Sequence, residues 1–139
     1  MTDHPDSLGM ADLIAGLPEQ ATAALAQTGE LTGLPEHDEI ENVLVIGMGG
    51  SGVVGDVLTV AAGPFMAVPV VVHKGYSLPN FVDRHTLVVA VSCSGNTEET
   101  LEAANAAAMA GGRMLVVTQG GALADLATEW QAPWIRVDP

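Results

Sequence analysis

The stretch Thr86-Leu87-Val88-Val89-Ala90-Val91, followed by Ser92-Cys93-Ser94-Gly95-Asn96-Thr97-Glu98-Glu99, decides how this chain is read. The first six residues are apolar apart from Thr86, as expected of a strand buried on both faces. From Thr97 to Ala110 the pattern turns helical, rich in alanine and free of glycine and proline. A strand, a tight polar loop and a helix N-terminus therefore follow one another. The first turn of a helix carries N–H groups without partners and a partial positive charge. The Ser92, Ser94 and Thr97 hydroxyls beside it make a neutral cradle with the donors that a phosphate needs.

The same alternation extends outward in both directions. Apolar, β-rich runs occur at Val43–Ile46, Pro69–His73, Thr86–Val91, Arg113–Thr118 and Trp134–Val137. Helical patterns lie between them at Ser51–Ala61, Thr97–Ala110 and Ala122–Trp130, with a short turn or helix near Leu78–Asp83. Apolar strands alternating with helices predict an α/β fold, a three-layer αβα sandwich. Right-handed crossovers then favour a five-stranded parallel doubly wound sheet in the flavodoxin-like order 2-1-3-4-5. In that order a crevice opens at the carboxyl ends of strands 1 and 3. The loop after strand 1, Gly47-Met48-Gly49-Gly50-Ser51-Gly52, should face the serine-rich loop across it.

Ahead of the sheet, residues 1–7 are polar and predicted to be disordered. Leu8–Gln27 reads as one or two short helices, with Pro18 at the start of the second. Thr28–Glu41 is loop-like. The expected division is an acidic arm with helices over residues 1–40 and a ligand-binding domain over residues 41–139.

Charge excludes several partners. Among 139 residues, 4 Lys and Arg face 17 Asp and Glu, a net charge of −13. Residues 1–42 hold nine carboxylates and no Lys or Arg, so the arm reads as a solvated segment. Such a field repels nucleic acid and anionic membranes, leaving a small anion held by local donors as the expected ligand. The single cysteine, Cys93, rules out an intramolecular disulfide and suits a reducing compartment. No secretory signal and no apolar run near 18 residues is present, so a cytoplasmic, soluble protein is expected.

The glycine loop satisfies G-x-G-x-x-G, which raises a nicotinamide-dependent oxidoreductase as one alternative. A dinucleotide site places an Asp or Glu at the end of strand 2 for the ribose hydroxyls. Here His73-Lys74-Gly75 stands there, which contradicts NAD and leaves only NADP. Ser51, a hydroxyl at the helix start, favours a phosphate site instead. No cofactor and no metal are expected, since no His, Cys and carboxylate set has ligand spacing.

The pattern S-x-S-G-x-T-x-E, here Ser92, Ser94, Gly95, Thr97 and Glu99, resembles the signature of the SIS (sugar isomerase) domain superfamily. The Gly-Gly-Ser-Gly loop ahead of it, with Tyr76-Ser77-Leu78-Pro79 between, resembles the branch of bifunctional phosphoglucose/phosphomannose isomerases. The resemblance runs from about Glu41 to the C-terminus. It implies binding of a sugar phosphate by Gly49, Gly50, Ser51, Ser92, Ser94 and Thr97, and association as a homodimer. It also implies a second SIS domain, because the catalytic Glu, His and Lys of the family have no match here. The family's Arg beyond the fifth strand falls past Pro139, and Arg136 lies too early to replace it. This chain is thus expected to be the N-terminal half of an aldose–ketose isomerase that interconverts glucose 6-phosphate or mannose 6-phosphate with fructose 6-phosphate. A non-catalytic sugar-phosphate sensor is the alternative from another class.

Other residues receive plainer readings. Glu98 and Glu99 complement the helix dipole, with Asn96 and Glu99 forming a capping box. Cys93 is expected to pack inward, His73 and His85 to serve structural ends of strands, and Trp130 and Trp134 to cover the sheet edge. Asp56 is left open between ordering the loop and facing a partner.

Overall fold

The computed structural model describes residues 9–137 and divides into two compact units, Met1–Glu30 and Leu31–Pro139. The expectation for residues 1–7 lies outside the described residues. The first unit contains α1 (Met10–Ala15) and α2 (Leu17–Thr28), separated by Gly16. Pro18 falls in the first turn of α2, where its missing N–H removes no helical bond.

The second unit is built on five strands: β1 (Asn42–Ile46), β2 (Val70–His73), β3 (Thr86–Ser92), β4 (Arg113–Thr118) and β5 (Trp134–Arg136). They form one sheet in the order β2-β1-β3-β4-β5, and every neighbouring pair is parallel. The expected strand order is observed. Three helices connect the strands: α3 (Gly49–Ala61), α4 (Glu98–Met109) and α5 (Gly121–Glu129). A short 3₁₀ turn at His37–Glu39 leads into β1, within a region read as loop. The Leu78–Asp83 segment takes the turn alternative, closed by the Val82 N–H donating to Pro79 O at 3.3 Å.

Side-chain alternation along each strand assigns the two faces. Leu44, Ile46, Val88, Ala90 and Val116 point one way, into a core completed by Ala103, Ala104 and Ala107 of α4 and Leu123 and Ala127 of α5. Val43, Val45 and Val91 point the other way, joined by Leu58 of α3. Helices therefore lie on both faces, as a parallel sheet requires to hide its apolar strands. Alanine at three α4 positions lets that helix approach the sheet closely.

Glycine achieves the same closeness on the α3 side. A Cβ at Gly55 would lie 2.9 Å from both Val72 methyls and 3.1 Å from Val45 Cβ. Gly55→Val should therefore lower stability by roughly 2 kcal/mol or more, because overpacking forces α3 off the sheet. Urea denaturation checks this, and an unchanged midpoint would show that the contact yields.

Candidate functional site

Because β1 and β3 are adjacent and parallel, pairing from Asn42↔Thr86 to Ile46↔Ala90, their following loops leave the sheet at the same end. Gly47 packs so closely against the β3 side that an added Cβ would stand 3.1 Å from Val91 O. Gly50 and Ser51 of the first loop and Cys93 of the second line a common cavity of about 560 Å3, with Met48, Val54, Val91, Val117 and Val137.

Two helices start here, and neither start is closed by a side chain. The residue before α3 is Met48, which has no hydrogen-bonding group for the purpose, and no cap bond forms. The residue before α4 is Thr97, in extended geometry, and its hydroxyl also makes no cap bond. That hydroxyl is diverted to Ser92 Oγ at 3.0 Å. The capping box expected from Asn96 and Glu99 is accordingly not formed; α4 begins one residue later and Asn96 is engaged elsewhere. The first-turn N–H groups of both helices are left as donors at the carboxyl end of the sheet.

The six predicted site residues divide in kind. Gly49 and Gly50 are exposed and open the first turn of α3; Ser51 is half-buried. Gly49 has φ of 52°, a left-handed conformation that suits glycine. Ser94 is exposed and Thr97 half-buried. Ser92 is different, at 1% relative exposure. Its Oγ meets Thr97 Oγ1 and accepts the Gly95 N–H at 3.2 Å. Here it orients Thr97 and closes the loop, rather than presenting a hydroxyl on the surface. The sequence alone could not show this, since a strand-end serine points in or out according to register.

Cys93 is exposed, against the expectation of inward packing, because the strand alternation breaks at Ser92 and the loop turns the next side chain out. Asp56 holds Lys74, with Nζ and Oδ2 2.6 Å apart. The stem of Lys74 crosses the first turn of α3, where a Cβ on Gly52 would meet its Cε at 2.9 Å. Two other cations, Arg84 and Arg113, line a separate cavity of about 720 Å3 at the amino ends of the strands. Trp130 packs against the core beside α4 and α5, whereas Trp134 remains 37% exposed.

Sequence reasoning did not anticipate two arrangements near these loops. Tyr76 sits near the first turns of α4: its phenol titrates above the ordinary tyrosine value, through partial desolvation first and then the carboxylates of Glu98, Glu99 and Glu102. The β4–α5 turn, Gln119-Gly120-Gly121, packs directly on the serine loop, with the Gln119 N–H donating to Cys93 O at 3.0 Å. The adjoining glycines 120 and 121 were the available signal.

With this geometry in place, the relatives are informative. The SIS domain family profile matches residues 38–131, and the chain belongs to that family. A bifunctional phosphoglucose/phosphomannose isomerase from Caldicellulosiruptor bescii is 37% identical over 118 residues, covering 85% of this chain and 35% of that protein. One from Thermoplasma acidophilum is 42% identical over 88 residues, covering 63% of this chain and 27% of its own length. The chain thus spans about a third of the curated relatives it matches. Among solved structures, the Vibrio vulnificus NanR protein complexed with ManNAc-6P superposes with a TM-score of 0.61 at 19% identity, covering 99% of this chain and 52% of that one. At that identity the likeness is one of fold. No helix among the described residues is long and apolar enough to cross a membrane.

Gly50 supplies a test of the first loop. It lies in a helix, has no positive φ, and a Cβ there would meet nothing within 4 Å. The fold gains nothing from glycine at this position, since alanine is about 1 kcal/mol better in a helix. Gly50→Ala should raise the thermal midpoint or leave it unchanged, yet weaken binding of inorganic phosphate at least about fivefold by blocking close backbone approach. Parental phosphate affinity in this variant would remove Gly50 from the site.

Proposed function

We propose that this domain binds a sugar phosphate and forms the phosphate-anchoring half of an aldose–ketose isomerase acting on glucose 6-phosphate or mannose 6-phosphate and fructose 6-phosphate. The observation that carries the reading is the pair of uncapped helix starts, α3 and α4, at one end of adjacent parallel strands. Ser51, Ser94 and Thr97 add hydroxyls to their N–H groups, with Gly49 and Gly50 allowing close approach and Ser92 orienting Thr97. The donors are neutral, so a dianion binds through hydrogen bonds and helix dipoles although the whole chain carries −13. The family membership and the names of the curated relatives support the same substrate class.

In the isomerisation, a base removes the proton from C2 of the open-chain aldose and electrons move to give a cis-enediol. An acid protonates O1 as the enediol forms, and return of a proton to C1 with loss of the O2 proton gives the ketose, with no net change in redox state and no cofactor. This chain supplies the anchor; the base and acid come from a second domain or a neighbouring subunit in the full-length homodimer. Anchoring the phosphate fixes the C1–C2 edge against that base, and positioning of this kind contributes up to about 7–11 kcal/mol in favourable model reactions. The setting is cytoplasmic, consistent with a lone cysteine left free on the surface.

Calorimetric titration with fructose 6-phosphate, glucose 6-phosphate and inorganic phosphate tests the reading. Ser94→Ala and Thr97→Ala should each weaken binding of all three by about 1–3 kcal/mol, the usual cost of losing a hydrogen bond to a charged group. Affinities that do not move in either variant would defeat the assignment.

A further inference from the structure

The serine loop is not held by its own strand and helix alone. Three successive carbonyls, those of Cys93, Ser94 and Gly95, are each taken by a donor. Cys93 O accepts the Gln119 N–H at 3.0 Å, from the β4–α5 connection, and Gly95 O accepts the Leu123 N–H at 2.9 Å, from the first turn of α5. Ser94 O accepts Nδ2–H of Asn96 at 3.1 Å. The other end of the same amide, Oδ1, accepts the Ala122 N–H at 3.1 Å. Asn96 therefore closes the N-terminus of α5, a helix distant in sequence, while gripping the loop residue whose hydroxyl is exposed. Its backbone N–H also donates to Ser94 Oγ at 3.3 Å. The fit is tight: a Cβ on Gly121 would stand 2.6 Å from Ser94 O and 2.8 Å from Asn96 Nδ2, and one on Gly95 would collide with Gly120 O.

We propose that Asn96 is a positioning residue for the sugar phosphate, tying the serine loop to the start of α5 so that Ser94 is set for the ligand before it arrives. The proposal rests on the serine loop being the phosphate cradle. Two physical effects follow from the tie. A loop ordered in advance loses less conformational entropy on binding. The three carbonyls are also committed, two to donors before and within α5 and that of Ser94 to Asn96, and an uncommitted carbonyl turned into the cradle would repel phosphate oxygens. An alanine at position 96 leaves both Ser94 O and the Ala122 N–H without their partner, and the loop is free to reorient.

The test is a double-mutant cycle on the full chain, with fructose 6-phosphate as the titrant and a thermal melt run on each variant. Asn96→Ala and Ser94→Ala should each weaken binding about tenfold, and the double variant should bind within about threefold of Ser94→Ala, as expected for residues acting through one another. Parental affinity in folded Asn96→Ala, beside a weakened Ser94→Ala, would mean that Asn96 merely supports α5 and would overturn the inference while sparing the cradle. Multiplying losses would also overturn it, since Asn96 would then act independently of Ser94. Parental affinity in Ser94→Ala would remove the cradle itself. If Asn96→Ala does not fold, Asn96→Asp keeps the acceptor for the Ala122 N–H and lacks the donor to Ser94. Its amide exchange at Ser94 and Gly95 should then be at least about tenfold faster than in the parent, and equal exchange would overturn the proposal.

Discussion

The parallel pairing of β1 with β3 is the constraint from which the site derives. Parallel strands emit their following loops at the same end, and only adjacent strands bring those loops within reach of one small ligand. Because β2 lies on the far side of β1, the chain crosses to opposite faces after β1 and after β3. The α3 and α4 starts then lie at the same end of the sheet, one on each face. A different strand order would leave each loop intact and separate them.

Capping economy follows from that arrangement. Helices ordinarily satisfy their first N–H groups with a side chain, and the two at this crevice do not. At α3 the preceding residue is a methionine; at α4 a threonine is present but turned to Ser92. Each omission forgoes about 1 kcal/mol of helix stability. In the proposed function, these open donors are what the ligand's phosphate meets. The donors at these two starts are uncharged, in a chain where Lys74 is paired with Asp56 and Arg84 and Arg113 lie at the amino ends of the strands.

The buried polar residues near the site repeat this division of labour. Ser92 and Thr118 are fully enclosed at the ends of β3 and β4, and each turns its hydroxyl to the loop that follows. Ser92 closes onto Gly95 and Thr97; Thr118 holds Gly120, which is the surface on which the serine loop rests. Rigid strand ends thereby govern loops that themselves carry the exposed donors, a requirement for holding a ligand with sub-ångström precision.

The strand–helix alternation, the parallel sheet and its 2-1-3-4-5 order were legible because they rest on hydrophobic periodicity and connection rules, both local properties. The SIS motif likewise announced its two loops, since glycines and hydroxyls at fixed spacing express a local backbone requirement. What the tertiary structure decided was the job of each side chain within them. Ser92 went inward and Cys93 outward, where the reading of Cys93 had been the reverse. Asn96 left its own helix to serve α5, and Tyr76 came within the field of the α4 carboxylates. These outcomes depend on contacts between residues as far apart as 96 and 122, whose energies are set by three-dimensional proximity. Spacing along the chain carries no record of that proximity.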